Sequence, residues 1–183
     1  MTRDVRPLVA IGVGNVLLGD DAIGIRVIEA LRSIADQDPL ALPSGTRLVD
    51  GGTLGLDLLR VVGEARGVVL VDAVRLGAAA GSVSVFRGDA IATAGGHRDG
   101  QAASAVGELI AVARLMGWLP QSVSMVGIEV VDTEFGMHLS PVVDHALPAA
   151  MDAVMAELRR MDERPGVPTT GGIATGPMAG ATA

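Results

Sequence analysis

Three short and almost wholly apolar runs constrain this chain most: Leu8-Val9-Ala10-Ile11-Gly12-Val13, Val68-Val69-Leu70-Val71-Asp72 and Ser122-Val123-Ser124-Met125-Val126-Gly127-Ile128. Runs of this length, rich in Val and Ile, read as strands buried on both faces of a parallel sheet. Such strands need helices above and below, and the intervening segments supply them. Ile23, Val27, Ala30, Leu31 and Ile34 recur at helical spacing, as do Leu54, Leu58, Leu59 and Val62. Val106, Leu109, Ile110, Ala113 and Met116 mark a further helix closed by Gly117. Thr46–Asp50 reads as another strand, and Ser82–Phe86, with its period-2 alternation, as an exposed edge strand. Ser140-Pro141 opens a last helix to about Met161, in which Pro148 predicts a kink or a break. The expected architecture is α/β: a three-layer sandwich with a mainly parallel, five-stranded twisted sheet and helices on both faces. Residues 1–162 make its single domain. From 163 to 183 the chain is Pro, Gly, Thr and Ala with few large side chains, too little apolar surface to offset ordering entropy, so this tail is expected to be disordered and dispensable.

Composition removes whole classes of function. No cysteine is present, which excludes disulfides, thiolate metal sites and a thiol nucleophile. The aromatics are Phe86, Phe135 and Trp118, too few for base-stacking platforms, and a net charge of −7 repels phosphate backbones, so nucleic acid is not an expected partner. The run Leu8–Leu18 is broken by Gly12, Gly14 and Asn15 and is too short to span a bilayer. No membrane association and a cytoplasmic location are expected.

In a parallel sheet, ligands bind beyond the carboxyl ends of the strands. Those ends here carry acids: Asp20 and Asp21 after the first strand, Asp50 after the second, Asp72 closing the third, Glu129 and Asp132 after the fifth. One such acid is ordinary capping chemistry. Several on one edge repel one another unless a cation or a shared proton is present, which points to a divalent metal site. A dinucleotide does not fit, because Leu17 stands where a Rossmann loop needs its third glycine and two acids occupy the helix start. The chain has no lysine, so a Walker A phosphate loop is absent, and no G-x-S-x-G elbow supports a serine nucleophile.

The segment Gly12-Val13-Gly14-Asn15-Val16-Leu17-Leu18-Gly19-Asp20-Asp21, continuing through Gly24, Arg26, Val27 and Glu29-Ala30-Leu31, closely resembles the opening of the hydrogenase maturation endopeptidases. Asp50-Gly51-Gly52-Thr53-Leu54-Gly55-Leu56-Asp57-Leu58-Leu59 resembles that family's second block, and Val69-Leu70-Val71-Asp72-Ala73-Val74 its third. The likeness runs over about residues 8 to 160. It implies a phosphorylase/hydrolase-like fold. It also implies an endopeptidase that removes the C-terminal extension of a nickel–iron hydrogenase large-subunit precursor after nickel insertion. The implied metal is divalent, nickel carried by the substrate, for which zinc or cadmium can substitute. Asp21 and Asp72 take the places of the family's acidic metal ligands and catalytic residues. Gly14, Asn15, Asp20, Asp50, Gly51 and Gly52 belong to the blocks that position loop and substrate.

The family's third ligand is a histidine about fifteen residues before the glycine that closes the following helix. Counting back from Gly117 gives Ala102, and the nearest imidazole is His97, between Gly95-Gly96 and Gly100. His97 is therefore the candidate third ligand, with water or a substrate group as its rival. His138 and His145 read as surface or packing residues. The displaced histidine also leaves room for a non-catalytic reading on the same fold: a nickel-sensing binding protein or an assembly chaperone.

Overall fold

The computed structural model describes residues 6–94, 105–163 and 172–175. Six strands form one sheet: β1 (Leu8–Val13), β2 (Arg47–Gly52), β3 (Gly67–Val74), β4 (Val83–Arg87), β5 (Ser122–Glu129) and β6 (Gly172–Thr175). The helices are α1 (Ile23–Gln37), α2 (Leu59–Gly63), α3 (Ala90–Ala94), α4 (Ala105–Leu115) and α5 (Pro141–Glu163). Short 3₁₀ turns, Gly19–Ala22 and Gly55–Leu58, lead into α1 and α2. The strand order is β2-β1-β3-β5-β4-β6. β1, β2, β3 and β5 run parallel, while β4 pairs antiparallel with both β5 and β6.

Every residue of β1 and β5 is buried, and β3 is buried at all but Ala73, as their unbroken apolar runs require. Alternation along the strands then divides the core into two layers. Leu8 and Ala10 of β1 pack with Val27, Ile28 and Leu31 of α1 and Val154 and Leu158 of α5 on one face. Val9, Ile11 and Val13 pack with Val62 of α2 and Val106, Leu109 and Ala113 of α4 on the other. The expected three-layer α/β sandwich is present, and Gly117, at φ +70°, closes α4 as expected.

Three expectations are corrected. The sheet has six strands, not five, because Gly172–Thr175, inside the stretch expected to be disordered, pairs with Ser84–Arg87. Its backbone hydrogen bonds offset a composition with little to bury. β4 is consequently not the outermost strand. The last helix is continuous through Pro148 and extends to Glu163. Pro148 and Asp144, the residue whose carbonyl loses its partner, are both solvent-exposed, so water satisfies what the ring removes. The rest of the 163–183 tail falls outside the described residues.

Candidate active site

After β1 the chain crosses to β2 on one side and then to β3 on the other. That reversal leaves a crevice between the carboxyl ends of β1 and β3. Two glycine contacts bring α1 close to it. A Cβ on Gly12 would lie 2.2 Å from the Gly24 carbonyl oxygen, and one on Gly24 would lie 2.3 and 2.4 Å from the carbonyl oxygens of Val13 and Val71. The start of α1 thus sits directly on the ends of both strands, which no larger residue at either position permits. Gly14 makes the turn between them: its φ is +138°, and a Cβ there would meet the Asp21 carbonyl oxygen at 1.8 Å.

This turn delivers Asp21 to the crevice. The Asp21 Oδ2 accepts the Asn15 N–H at 2.7 Å, and the Asn15 Oδ1 accepts the Leu17 N–H at 3.0 Å. The turn is also tied to the neighbouring loop, because the Gly14 N–H donates to the Gly52 carbonyl at 3.0 Å. Asp50 is exposed and accepts the Gly52 N–H at 3.0 Å, while Gly51 packs tightly against Ile11 and Leu58. Asp50 is therefore a turn-forming residue that supports the loop from behind.

Asp72 reaches the same crevice from β3. It is 7% exposed. Burial first, and the charge of Asp21 second, push its carboxyl up to about 7, against a smaller opposing hydrogen bond from the Ala73 N–H. A carboxylic acid that still holds its proton near neutral pH, beside a second acid in a strand-end crevice, is the perturbation expected of a functional site.

Asp20, next in sequence to Asp21, does something different. It is fully buried, and its carboxylate accepts the N–H groups of Val131, Asp132 and Ser140 at 3.1, 3.0 and 2.6 Å and the Ser140 hydroxyl at 3.0 Å. Burial acts to raise its pKa, but these donors outweigh it and hold the carboxyl below the usual range. Asp20 clamps the β1–α1 turn to the loop between β5 and α5. Glu129 braces a neighbouring loop in the same way, accepting the Leu76 and Gly77 N–H groups at 2.8–3.0 Å. The Asp132 carboxylate accepts the Glu134 N–H at 2.8 Å. Of the acids expected along this edge, Asp21 and Asp72 alone share the crevice, and the others hold loops.

His97 and Ala102 lie outside the described residues. His138 and His145 are both exposed, His145 hydrogen-bonding the Pro141 carbonyl one turn back. Among the described residues no cluster of three or more His, Asp or Glu side chains is arranged to hold a metal ion. Two carboxyl groups are what this crevice offers. They suit a divalent cation that arrives with other ligands of its own, since its charge would offset both the burial and the Asp21 repulsion that keep Asp72 protonated.

A model of the hydrogenase maturation protease family, HycI, matches residues 25–157. The chain belongs to the hydrogenase maturation protease family. It is 33% identical over 154 residues to the hydrogenase expression/formation protein HupD of Rhodobacter capsulatus, covering 83% of this chain and 71% of that protein. It is 28% identical over 153 residues to the hydrogenase 2 maturation protease of Escherichia coli, covering 83% and 90%. Among solved structures, the hydrogenase maturating endopeptidase HybD of E. coli superposes with a TM-score of 0.74 at 27% identity, covering 90% of this chain and 97% of that one. The family makes the chain a protease, in agreement with the resemblance in its glycine-rich blocks. No helix among the described residues is long and apolar enough to cross a membrane.

The sequence did not single out two parts of this edge. One is Ser140, read as a helix cap, whose hydroxyl is instead spent on Asp20. The other is the exposed apolar loop between β5 and α5, for which Phe135 in an aromatic-poor chain was the available signal.

Proposed function

We propose that this protease removes the C-terminal extension of a nickel–iron hydrogenase large-subunit precursor, in the cytoplasm, once nickel is in place. Asp21 and Asp72 carry the reading: they are the pair of acids that meet in the strand-end crevice, and the repulsion between them is what a substrate-borne cation would relieve. The nickel is cargo of the substrate, and zinc or cadmium would stand in for it. Bound there, a divalent ion supplies positive charge that polarises the scissile carbonyl. An ion held there would displace the Asp72 proton and leave both carboxylates to hold it. The Asp21 carboxylate, fixed by the Asn15 N–H, would orient the attacking water, take its proton and pass it to the leaving amine. Asp20 keeps Asp21 in register from the buried side. His97 is the candidate donor for a further position on the cation.

The test is incubation with a nickel-loaded, unprocessed large subunit, followed by mass measurement of that subunit. A single loss of mass equal to a C-terminal segment supports the reading. An intact subunit after stable binding would instead identify a nickel-sensing or chaperone role, and an intact, unbound subunit contradicts both.

A further inference from the structure

Exposed apolar side chains are concentrated around the crevice. Of eleven large hydrophobic residues exposed among the described residues, six sit on the three loops at this edge: Leu17, Leu54, Leu56, Val131, Phe135 and Met137. Phe135 is 83% exposed and Met137 57%. The other aromatics are less exposed: Phe86 lies in the core, and Trp118, 45% exposed, packs against Gly63. An apolar patch of this kind on a single chain marks a place where another molecule binds.

The loop that carries Phe135 and Met137 is held rigid. Leu18 and Gly136 form a parallel bridge, the Gly136 N–H donating to the Leu17 carbonyl at 2.9 Å and the Gly19 N–H to the Gly136 carbonyl at 2.8 Å. Asp20 holds Val131, Asp132 and Ser140, and the Arg75 Nη2 donates to the Thr133 hydroxyl at 2.6 Å. Phe135 and Met137 flank the bridged glycine, and the bridge leads within three residues to Asp21. A pre-formed apolar platform joined to a candidate catalytic acid binds its partner with little ordering cost. Its rim is acidic on balance: Asp132, Glu134, Asp50 and Asp57 are all exposed. Against them stand two arginines that reach the loop, Arg75 on the Thr133 hydroxyl and Arg26, which donates to the Met137 carbonyl and is paired with Glu29.

We propose that the ribbon formed by Leu17 and Val131–Met137 is the docking surface for the large-subunit precursor, taking an apolar segment with basic flanks beside the scissile bond. This rests on the endopeptidase reading above for the identity of the partner. The surface is continuous with the crevice, so a polypeptide seated on it passes Asp21 and Asp72.

The experiment measures both binding and processing of the nickel-loaded precursor by the full chain and by Phe135→Ser, Met137→Ser and, as a control at a distant exposed site, Leu115→Ser. The expected result is binding about tenfold weaker for Phe135→Ser, with KM raised and kcat at saturation retained, a smaller effect for Met137→Ser, and none for Leu115→Ser. High salt should weaken wild-type binding, as the acidic rim requires. Unchanged binding in both loop variants, no binding by the wild type, or a wild-type homodimer broken by Phe135→Ser would each overturn the proposal. Binding that depends on Phe135 without any cleavage would sustain the docking surface while contradicting the endopeptidase reading.

Discussion

Asp20 and Asp72 are both buried acids on one edge of one sheet, and they are held in opposite states. Asp20 accepts four hydrogen bonds and is kept ionised. Asp72 has one opposing backbone donor, faces the charge of Asp21, and is kept protonated up to about pH 7. Burial is common to both, so burial alone does not decide a carboxyl's state. The supply of donors does. A third case agrees: Glu157, buried on α5, is held below its usual range because Arg87 and Arg160 both pair with it. The molecule therefore separates acids that build it from an acid whose burial is left uncompensated, and the uncompensated one lies in the crevice.

The largest expected effect falls on activity. Asp72→Asn keeps shape and burial but removes a carboxylate that would hold the substrate's cation, and processing should fall by about 10²–10⁴-fold with the fold intact by circular dichroism. Wild-type rates in this variant would show that the Asp72 carboxylate is not used.

Stability should move the other way. The folded-state pKa of Asp72 lies above its unfolded value, so the folded protein binds the extra proton and loses stability as pH rises from about 4 to about 7. The shift corresponds to about 4 kcal/mol once Asp72 is fully ionised. In metal-free protein above pH 7, Asp72→Asn should recover much of that, seen as a higher urea midpoint than wild type, and the difference should vanish near pH 4. Asp20 has the opposite sign: its lowered pKa contributes stability above the unfolded value that is lost as pH falls through the carboxylate range.

Asp20→Ala strips the partner from three backbone N–H groups and a hydroxyl, and should cost about 3 kcal/mol in chemical denaturation. The contrast is sharpened if the same variant also weakens precursor binding, since Asp20 holds the loop that carries Phe135. The smallest effect concerns the tail. Truncation after Arg164 removes β6 from the edge of β4 and should lower stability by about 1 kcal/mol while leaving processing unchanged.

The layered fold was legible because its strands are unbroken apolar runs that admit one placement, in the middle of a sheet. Gly172–Thr175 was not, since its pairing is backbone hydrogen bonding that leaves no side-chain signature. The acids were legible as a row at one edge but not as separate roles. Asp20 and Asp21 are neighbours of the same type, and what divides them is a set of donors more than a hundred residues away, at Val131, Asp132 and Ser140. Sequence spacing does not encode a contact of that range. Gly14 is the exception: its place in a resembling motif and its positive φ agree, because only glycine lets the turn approach the Asp21 backbone this closely.

The central claim is that Asp72 holds a proton because burial and Asp21 make its charge costly. The most direct measurement is a carboxyl-carbon NMR titration of Asp72 in metal-free protein, repeated in Asp21→Asn. A midpoint near 7 in the wild type, moving down when the Asp21 charge is removed, is the predicted result. An Asp72 midpoint near 4, or one that does not respond to Asp21→Asn, would contradict it.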